Sequence, residues 1–115
     1  MTNMRIVAVL AALSGAVAVA AGAFAAHGAS GQAAEWLKTG AHYQLIHAVV
    51  ALVAARMGER ISPWLFVGGG ALFSATLYAM AFGAPRWFGA ITPIGGVALI
   101  AGWLCLALGA WKRAA

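Results

Sequence analysis

Long apolar runs alternate with short polar segments along the chain, and this alternation predicts the structural elements. A run of about 20 apolar residues is long enough, as a helix, to cross the roughly 30 Å of hydrocarbon in a bilayer. The runs of this kind cover residues 6–26, 40–57, 63–82 and 88–111. We therefore predict an all-α membrane protein whose four transmembrane helices form an antiparallel bundle, with residues 1–115 making a single domain.

The first run also suggests an alternative, a cleaved signal peptide. It follows Arg5 and ends in Ala23-Phe24-Ala25, which resembles a signal-peptidase site. However, its 21 residues exceed the apolar region of a signal peptide, which has about 7 to 15. The remainder of the chain is itself apolar enough to stay in the membrane. We expect the first run to remain attached as a transmembrane helix.

A more polar segment, residues 28–38, separates the first two runs. Ser30 is suited to cap a helix, and Glu35, Trp36 and Lys38 have the character of residues at the level of the lipid headgroups. This segment predicts a short interfacial helix between transmembrane helices 1 and 2. The next two connections are simpler, because Ser62-Pro63 can open the third helix and Gly83-Ala84-Pro85 forms a turn before the fourth.

Small and polar residues recur at steps of three and four within the apolar runs, which places them on one face of each helix. In the second run this face contains Gly40, Gln44, His47, Ala51, Ala54 and Gly58. The opposite face contains Leu45, Ile46, Val49, Leu52 and Val53. In the first run the small face contains Ala11, Ser14, Ala18, Gly22 and Ala25, and in the fourth it contains Gly95, Ala98, Gly102, Cys105 and Gly109. Small residues let helix backbones approach closely, so we expect these faces to meet protein and the bulky faces to meet lipid.

Several polar side chains fall at similar depths in the predicted helices and form a candidate intramembrane layer. Its members are His47, Tyr43, Gln44, Ser74, Tyr78 and His27. We expect His47 to point into the bundle and to bond with Tyr78, with Ser74 or with a carbonyl freed near Pro93. His27 would join only if the end of the first helix folds back over the second.

The histidines do not predict a metal site. His42 and His47 are five residues apart, about 140° around a helix, and cannot bind one ion from an unbroken helix. Cys105 is the single cysteine and cannot form an intrachain disulfide. We predict no metal, no cofactor and no catalytic residue.

Composition and charge agree with a membrane protein and argue against a nucleic-acid partner. Hydrophobic residues make up 64% of the chain and charged residues 8%, whereas soluble proteins average about 25% charged. The net charge is +5, but the seven Lys and Arg residues are dispersed at the ends of the apolar runs. Five lie near the termini and in the second connection, against two in the other connections, so the positive-inside rule predicts that both termini are cytoplasmic.

Several motifs along the chain resemble those of a known family. They are Gly22-Ala-Phe-Ala-Ala-His-Gly28, Trp36-Leu-Lys-Thr-Gly40, Tyr43-Gln-Leu-Ile-His-Ala48, Phe73-Ser-Ala-Thr-Leu-Tyr78 and Gly89-Ala-Ile-Thr-Pro-Ile-Gly-Gly96. Together they resemble domain-of-unknown-function family 423, the YgdD-type small inner-membrane proteins, which is similar to eukaryotic transmembrane protein 256. The resemblance implies a small multi-pass protein of the inner (plasma) membrane and brings no activity with it.

The predicted spans contain no acidic side chain that could relay protons or neutralise a cation in transit. No phosphate-binding loop, nucleophile elbow or His-Glu-x-x-His motif is present in the sequence. Our hypothesis is therefore a non-enzymatic structural or accessory protein that interacts with the lipid bilayer and with other membrane proteins or further copies of itself. Two alternatives stay open at this stage: a small transporter or channel-like homo-oligomer, and a His-lined quinone- or metal-binding membrane protein.

Overall fold

The computed structural model describes residues 2–114 and is almost entirely helical. Its α-helices are α1 (Thr2–His27), α2 (Gly31–Arg56), α3 (Ser62–Ala81) and α4 (Thr92–Ala114), and a 3-10 helix covers Arg86–Ala90. Within the described residues, three stretches are long and apolar enough to cross a membrane: α1 from Asn3, α3, and residues 86–114, which include α4. The prediction of an all-α membrane fold is confirmed.

The structure contains no separate interfacial helix between α1 and α2, so that prediction is wrong. Residues 31–38 are instead the first two turns of α2, which continues without a break for 26 residues. The reason lies in the sequence from Gln32 to Lys38, because Gln, Ala, Glu, Leu and Lys all favour helix and no residue there ends one. Ser30 occupies the N-cap position of this longer helix, although its side chain makes no capping hydrogen bond.

Proline determines where the last two helices begin. Pro63 lies in the first turn of α3, as expected, where its missing N–H removes no helical hydrogen bond. Pro93 is likewise the second residue of α4, which begins at Thr92 and not at Phe88. The residues before it form the separate 3-10 helix, because a proline inside a continuous helix would clash with the carbonyl four residues earlier.

Consecutive helices run antiparallel. Along the α1–α2 interface, Gly22 lies opposite Ala41 and Gly15 lies opposite Ala48. The next two interfaces show the same reversal of direction. Between α2 and α3, Gly40 contacts Tyr78 and Gly70 lies opposite His47. Between α3 and α4, Gly69 contacts Ala98 and Gly102 contacts Phe66. As a result, α1 and α3 point the same way, and α2 and α4 point the other way.

The helices α2 and α3 occupy the centre of the molecule. The extensive interfaces are α1–α2, α2–α3 and α3–α4, and a smaller one joins α1 to α3. The buried apolar core takes residues from all four helices, namely Ala11, Ala51, Ala54, Phe66 and Leu99. The helices α1 and α4 therefore lie at the periphery and expose much of their surface.

The expected division of α2 into a small face and a bulky face is confirmed. Gly40, Gln44, His47, Ala51 and Ala54 are buried. Leu45, Ile46, Val49, Leu52 and Val53 are all exposed. Only Gly58 departs from the pattern, because α2 ends at Arg56 and this glycine is exposed in the following turn.

Candidate functional site

One side-chain amide connects three helices inside the bundle. Gln44 of α2 donates from Nε2 to Ser14 Oγ of α1 at 3.0 Å. Its Oε1 accepts a hydrogen bond from the Tyr78 hydroxyl of α3 at 2.7 Å. Because Gln44 is only 6% exposed, these partners satisfy an amide that would otherwise be costly to bury.

His47 links α2 to α4. The indole Nε1–H of Trp103 donates to His47 Nε2 at 3.0 Å, and the other ring nitrogen, Nδ1, lies 2.6 Å from the Tyr43 carbonyl oxygen. An indole N–H can only donate, so Nε2 must be the unprotonated nitrogen and Nδ1–H donates to the carbonyl. Both ring nitrogens of His47 are therefore engaged in hydrogen bonds to protein.

Aromatic rings enclose His47 and fix its orientation. The Tyr43 ring is parallel to it, with centroids 6.1 Å apart, and Trp103 approaches edge-on at 5.8 Å. Phe66 of α3 lies 5.8 Å from His47 and 5.2 Å from Trp103. Gly70 of α3 lies beside this cluster, where a Cβ would be in ordinary van der Waals contact with the Cβ of His47, at 3.7 Å.

The residues proposed for the polar layer do not all meet. Gln44 and Tyr78 share one network, and His47 and Tyr43 share the adjacent one. Ser74 is buried beside them but bonds to its own helix, donating to the Gly70 carbonyl at 2.7 Å.

His27 does not join this group, which corrects the sequence-based expectation. Gly15 lies opposite Ala48, next to His47, and His27 lies twelve residues further along α1. At 1.5 Å per residue this separation is about 18 Å. Because α1 continues as a helix to His27, its end does not fold back over α2, and His27 is exposed.

The predicted partners of His47, namely Tyr78, Ser74 or a carbonyl near Pro93, are also wrong. His47 bonds instead to Trp103 and to the Tyr43 carbonyl. The sequence contained a signal for Trp103. Tryptophans of membrane proteins concentrate at the interfaces, and one in the middle of an apolar helix requires an acceptor for its N–H. Ser14 was placed on the correct face of α1, but nothing in the sequence marked it as the partner of Gln44.

Glu59 is a second feature that the sequence did not reveal. It lies in the α2–α3 connection, is only 9% exposed, and accepts a hydrogen bond from the Arg113 guanidinium near the end of α4. Gly109 provides the space, because a Cβ there would overlap the Glu59 carboxylate. This ion pair attaches the connection to the last turns of α4.

A cavity of about 390 Å³ opens beside His47 between α2, α3 and α4. It is lined by Tyr43, Ile46, His47, Phe73, Gly96, Leu99, Ile100 and Trp103. Its wall is mainly apolar and aromatic, and the His47 nitrogens are already bonded to protein. Within residues 2–114, no group of three or more His, Cys, Asp or Glu side chains is placed to hold a metal ion.

The family is decided by a match over most of the chain. Residues 21–96 match DUF423, described as a protein of unknown function. The chain belongs to the DUF423 family. The matched residues include Gln44 and His47, the centres of the two hydrogen-bond networks. Their partners Ser14 and Trp103 lie outside the match.

Relatives of this DUF423 chain are membrane proteins. A UPF0382 membrane protein of Haemophilus influenzae is 44% identical over 115 residues, which cover 90% of this chain and 91% of the relative. The UPF0382 inner membrane protein YgdD of Escherichia coli K12 is 39% identical, with 92% and 89% covered. The Bacillus subtilis membrane protein YwdK is 34% identical, with 95% and 98% covered. No solved structure matches the chain.

Proposed function

We propose that the chain crosses the membrane four times, with α2 as a span in addition to α1, α3 and α4. The helices α1 and α3 are each apolar enough to cross and point in the same direction, and α2 runs back between them in contact with both. A chain that crosses twice in one direction must return in between, and α2 is the segment in position to do so.

The lower apolarity of α2 is compatible with this role. Its polar side chains Gln44 and His47 face inward and are hydrogen-bonded, so the bilayer does not meet them. At 1.5 Å per residue its 26 residues extend about 39 Å, more than the roughly 30 Å of hydrocarbon. Glu35 and Lys38, which form an exposed ion pair in the early turns of α2, therefore fall at the headgroup level.

Both termini are proposed to face the cytoplasm. Arg60 shares cavities with Asn3 of α1 and Lys112 of α4, which places the basic residues of these elements at one end of the molecule. At the opposite end, Arg86 lies 5.8 Å from the Trp36 ring. The end with more Lys and Arg belongs on the cytoplasmic side by the positive-inside rule.

The function that this geometry supports best is that of a non-enzymatic accessory protein that packs against other integral membrane proteins. One observation carries the proposal: the polar groups inside the bundle bond to one another across all four helices. They hold the bundle together, and no ring nitrogen of His47 is left free for proton or electron transfer. The molecule presents outward the bulky apolar surfaces of its peripheral helices α1 and α4, together with the bulky face of α2.

Site-specific photo-crosslinking in native membranes tests this proposal. A photo-activated residue replaces Leu104 on α4 or Leu13 on α1, which are 67% and 58% exposed, and the matched control replaces the buried Leu99. We expect a discrete protein adduct from α1 or α4 and none from Leu99. The accessory role would be contradicted if both outer positions gave adducts to lipid alone. If the purified protein in liposomes also showed solute flux, the protein would be a transporter.

A further inference from the structure

One end of the molecule carries more positive charge than its own acids can neutralise. Five basic residues form this basic end: Arg5, Arg56, Arg60, Lys112 and Arg113. The chain has only two acidic side chains. Glu59 is paired with Arg113, and Glu35 is paired with Lys38 at the opposite end. No Asp or Glu side chain therefore remains for the other four basic residues of the basic end.

A polar cavity lies within this basic end. Its volume is about 270 Å³, and it opens between the first turn of α1 and the start of α3. The lining residues are Asn3, Met4, Arg60 and Trp64. Among the described residues that line the cavity, Asn3, Arg60 and Trp64 each carry an N–H donor in their side chain, and the lining surface is mainly polar.

We propose that this cavity binds the phosphate of an anionic phospholipid headgroup. A guanidinium is well suited to a phosphate, because its planar fork of N–H groups can bond to two oxygens at once. The volume equals that of about nine waters at roughly 30 Å³ each, which is ample for a phosphate and part of its glycerol. The inference goes beyond the accessory role and does not depend on it.

The position of the cavity favours a lipid over a soluble phosphate. Trp64 lies in the first turn of α3, and tryptophan is enriched at the level of the headgroups. Ile6 and Ile61, which are close in sequence to the lining residues Met4 and Arg60, are exposed and give this end of the molecule an apolar surface for acyl chains. Basic pockets between transmembrane helices are suited to the anionic headgroups of the cytoplasmic leaflet.

A second cavity at the same end has a volume of about 220 Å³. It shares Arg60 with the first cavity and has Lys112 in its wall in addition. Its wall is mainly apolar, with Ile61, Cys105 and Leu108, and its one carboxylate, Glu59, is already paired with Arg113. The cavity beside Asn3 is mainly polar, and this polarity assigns the headgroup to it.

The test measures thermal unfolding of the full chain in neutral detergent while lipid is added. We expect phosphatidylglycerol to raise the unfolding midpoint, and phosphatidylcholine or inorganic phosphate at equal concentration to leave it unchanged. Arg60→Gln should raise the half-maximal phosphatidylglycerol concentration about fivefold, which corresponds to the ~1 kcal/mol that one basic residue gains near an anionic surface. Trp64→Phe, which keeps the ring and removes its N–H, should weaken binding in the same direction.

The matched control is Arg56→Gln, which removes the same charge from the same end without touching the cavity. It should change the half-maximal concentration by less than about twofold, because Arg56 is exposed and does not line the cavity, and salt screens the interactions of exposed charges. Equal effects of Arg56→Gln and Arg60→Gln would show general charge attraction and overturn the site. Stabilisation by inorganic phosphate would identify a soluble anion as the ligand, and no preference for phosphatidylglycerol would also contradict the proposal. If Arg60→Gln fails to fold, Trp64→Phe and Arg56→Gln decide between these outcomes.

Discussion

Replacing Gly95 by alanine is expected to destabilise the bundle strongly, although it adds only one methyl group. A Cβ at Gly95 would lie 2.5 Å from the Phe73 backbone nitrogen and 2.9 Å from the Gly69 carbonyl oxygen. Backbone atoms cannot rotate away as a side chain does, so α3 and α4 would have to separate. Overpacking of this kind typically costs about 1–3 kcal/mol. The measurement is the thermal unfolding midpoint in detergent, which should fall.

The Gly68-Gly69-Gly70 segment of α3, which packs against Gly95 through Gly69, supplies the control. A Cβ at Gly68 would meet nothing within 4 Å, because this residue faces away from the other helices. Gly68→Ala should leave the midpoint unchanged or raise it, since alanine favours helix over glycine by about 1 kcal/mol. Equal midpoints for Gly95→Ala and Gly68→Ala would mean that α3 and α4 do not touch along this face.

His47→Ala is the second change for which we expect a large effect. It removes the acceptor of the Trp103 N–H and empties the space between Tyr43, Phe66 and Trp103. Each hydrogen bond inside a membrane protein contributes about 0.6 kcal/mol, so the emptied space should account for most of a total loss of about 1–3 kcal/mol. His42→Ala is the matched control: it removes an exposed ring one turn away and should cost much less.

A double-mutant cycle shows whether the Trp103 bond is part of this loss. Trp103→Phe removes the donor and keeps an aromatic ring in place. In the His47→Ala background, Trp103→Phe should lower the free energy of unfolding by less than it does in the native protein, because the hydrogen bond is already broken. Additive losses, or equal losses for His42→Ala and His47→Ala, would contradict the polar layer described above.

Much of the packing could be predicted from the sequence because lipid makes the pattern simple. The spacing of Gly40, Gln44, His47, Ala51 and Ala54 selects one helix face, and a buried amide or imidazole must meet protein. The structure buries all of these residues. Periodicity determines which face is buried because it depends only on the 3.6-residue turn.

Contacts between distant residues could not be predicted in the same way. Trp103 reaches His47 from 56 positions away, and Arg113 reaches Glu59 from 54. Such pairs depend on the register between helices, which periodicity within one helix does not determine. The prediction of a separate interfacial helix at residues 31–38 is wrong for a different reason. The polar residues of this segment are strong helix formers, so they extend α2 and do not interrupt it.

The membrane topology of the chain shows whether α2 is a span. In a Cys105→Ala background, single cysteines replace Asn3, Ser30, Ala84 or Ala114, and spheroplasts are treated with a thiol reagent that cannot cross the membrane. We expect Ser30→Cys and Ala84→Cys to react in intact spheroplasts, whereas Asn3→Cys and Ala114→Cys should react only after lysis. If Asn3→Cys and Ala114→Cys instead react from opposite sides of the membrane, the chain crosses an odd number of times and α2 is not a span.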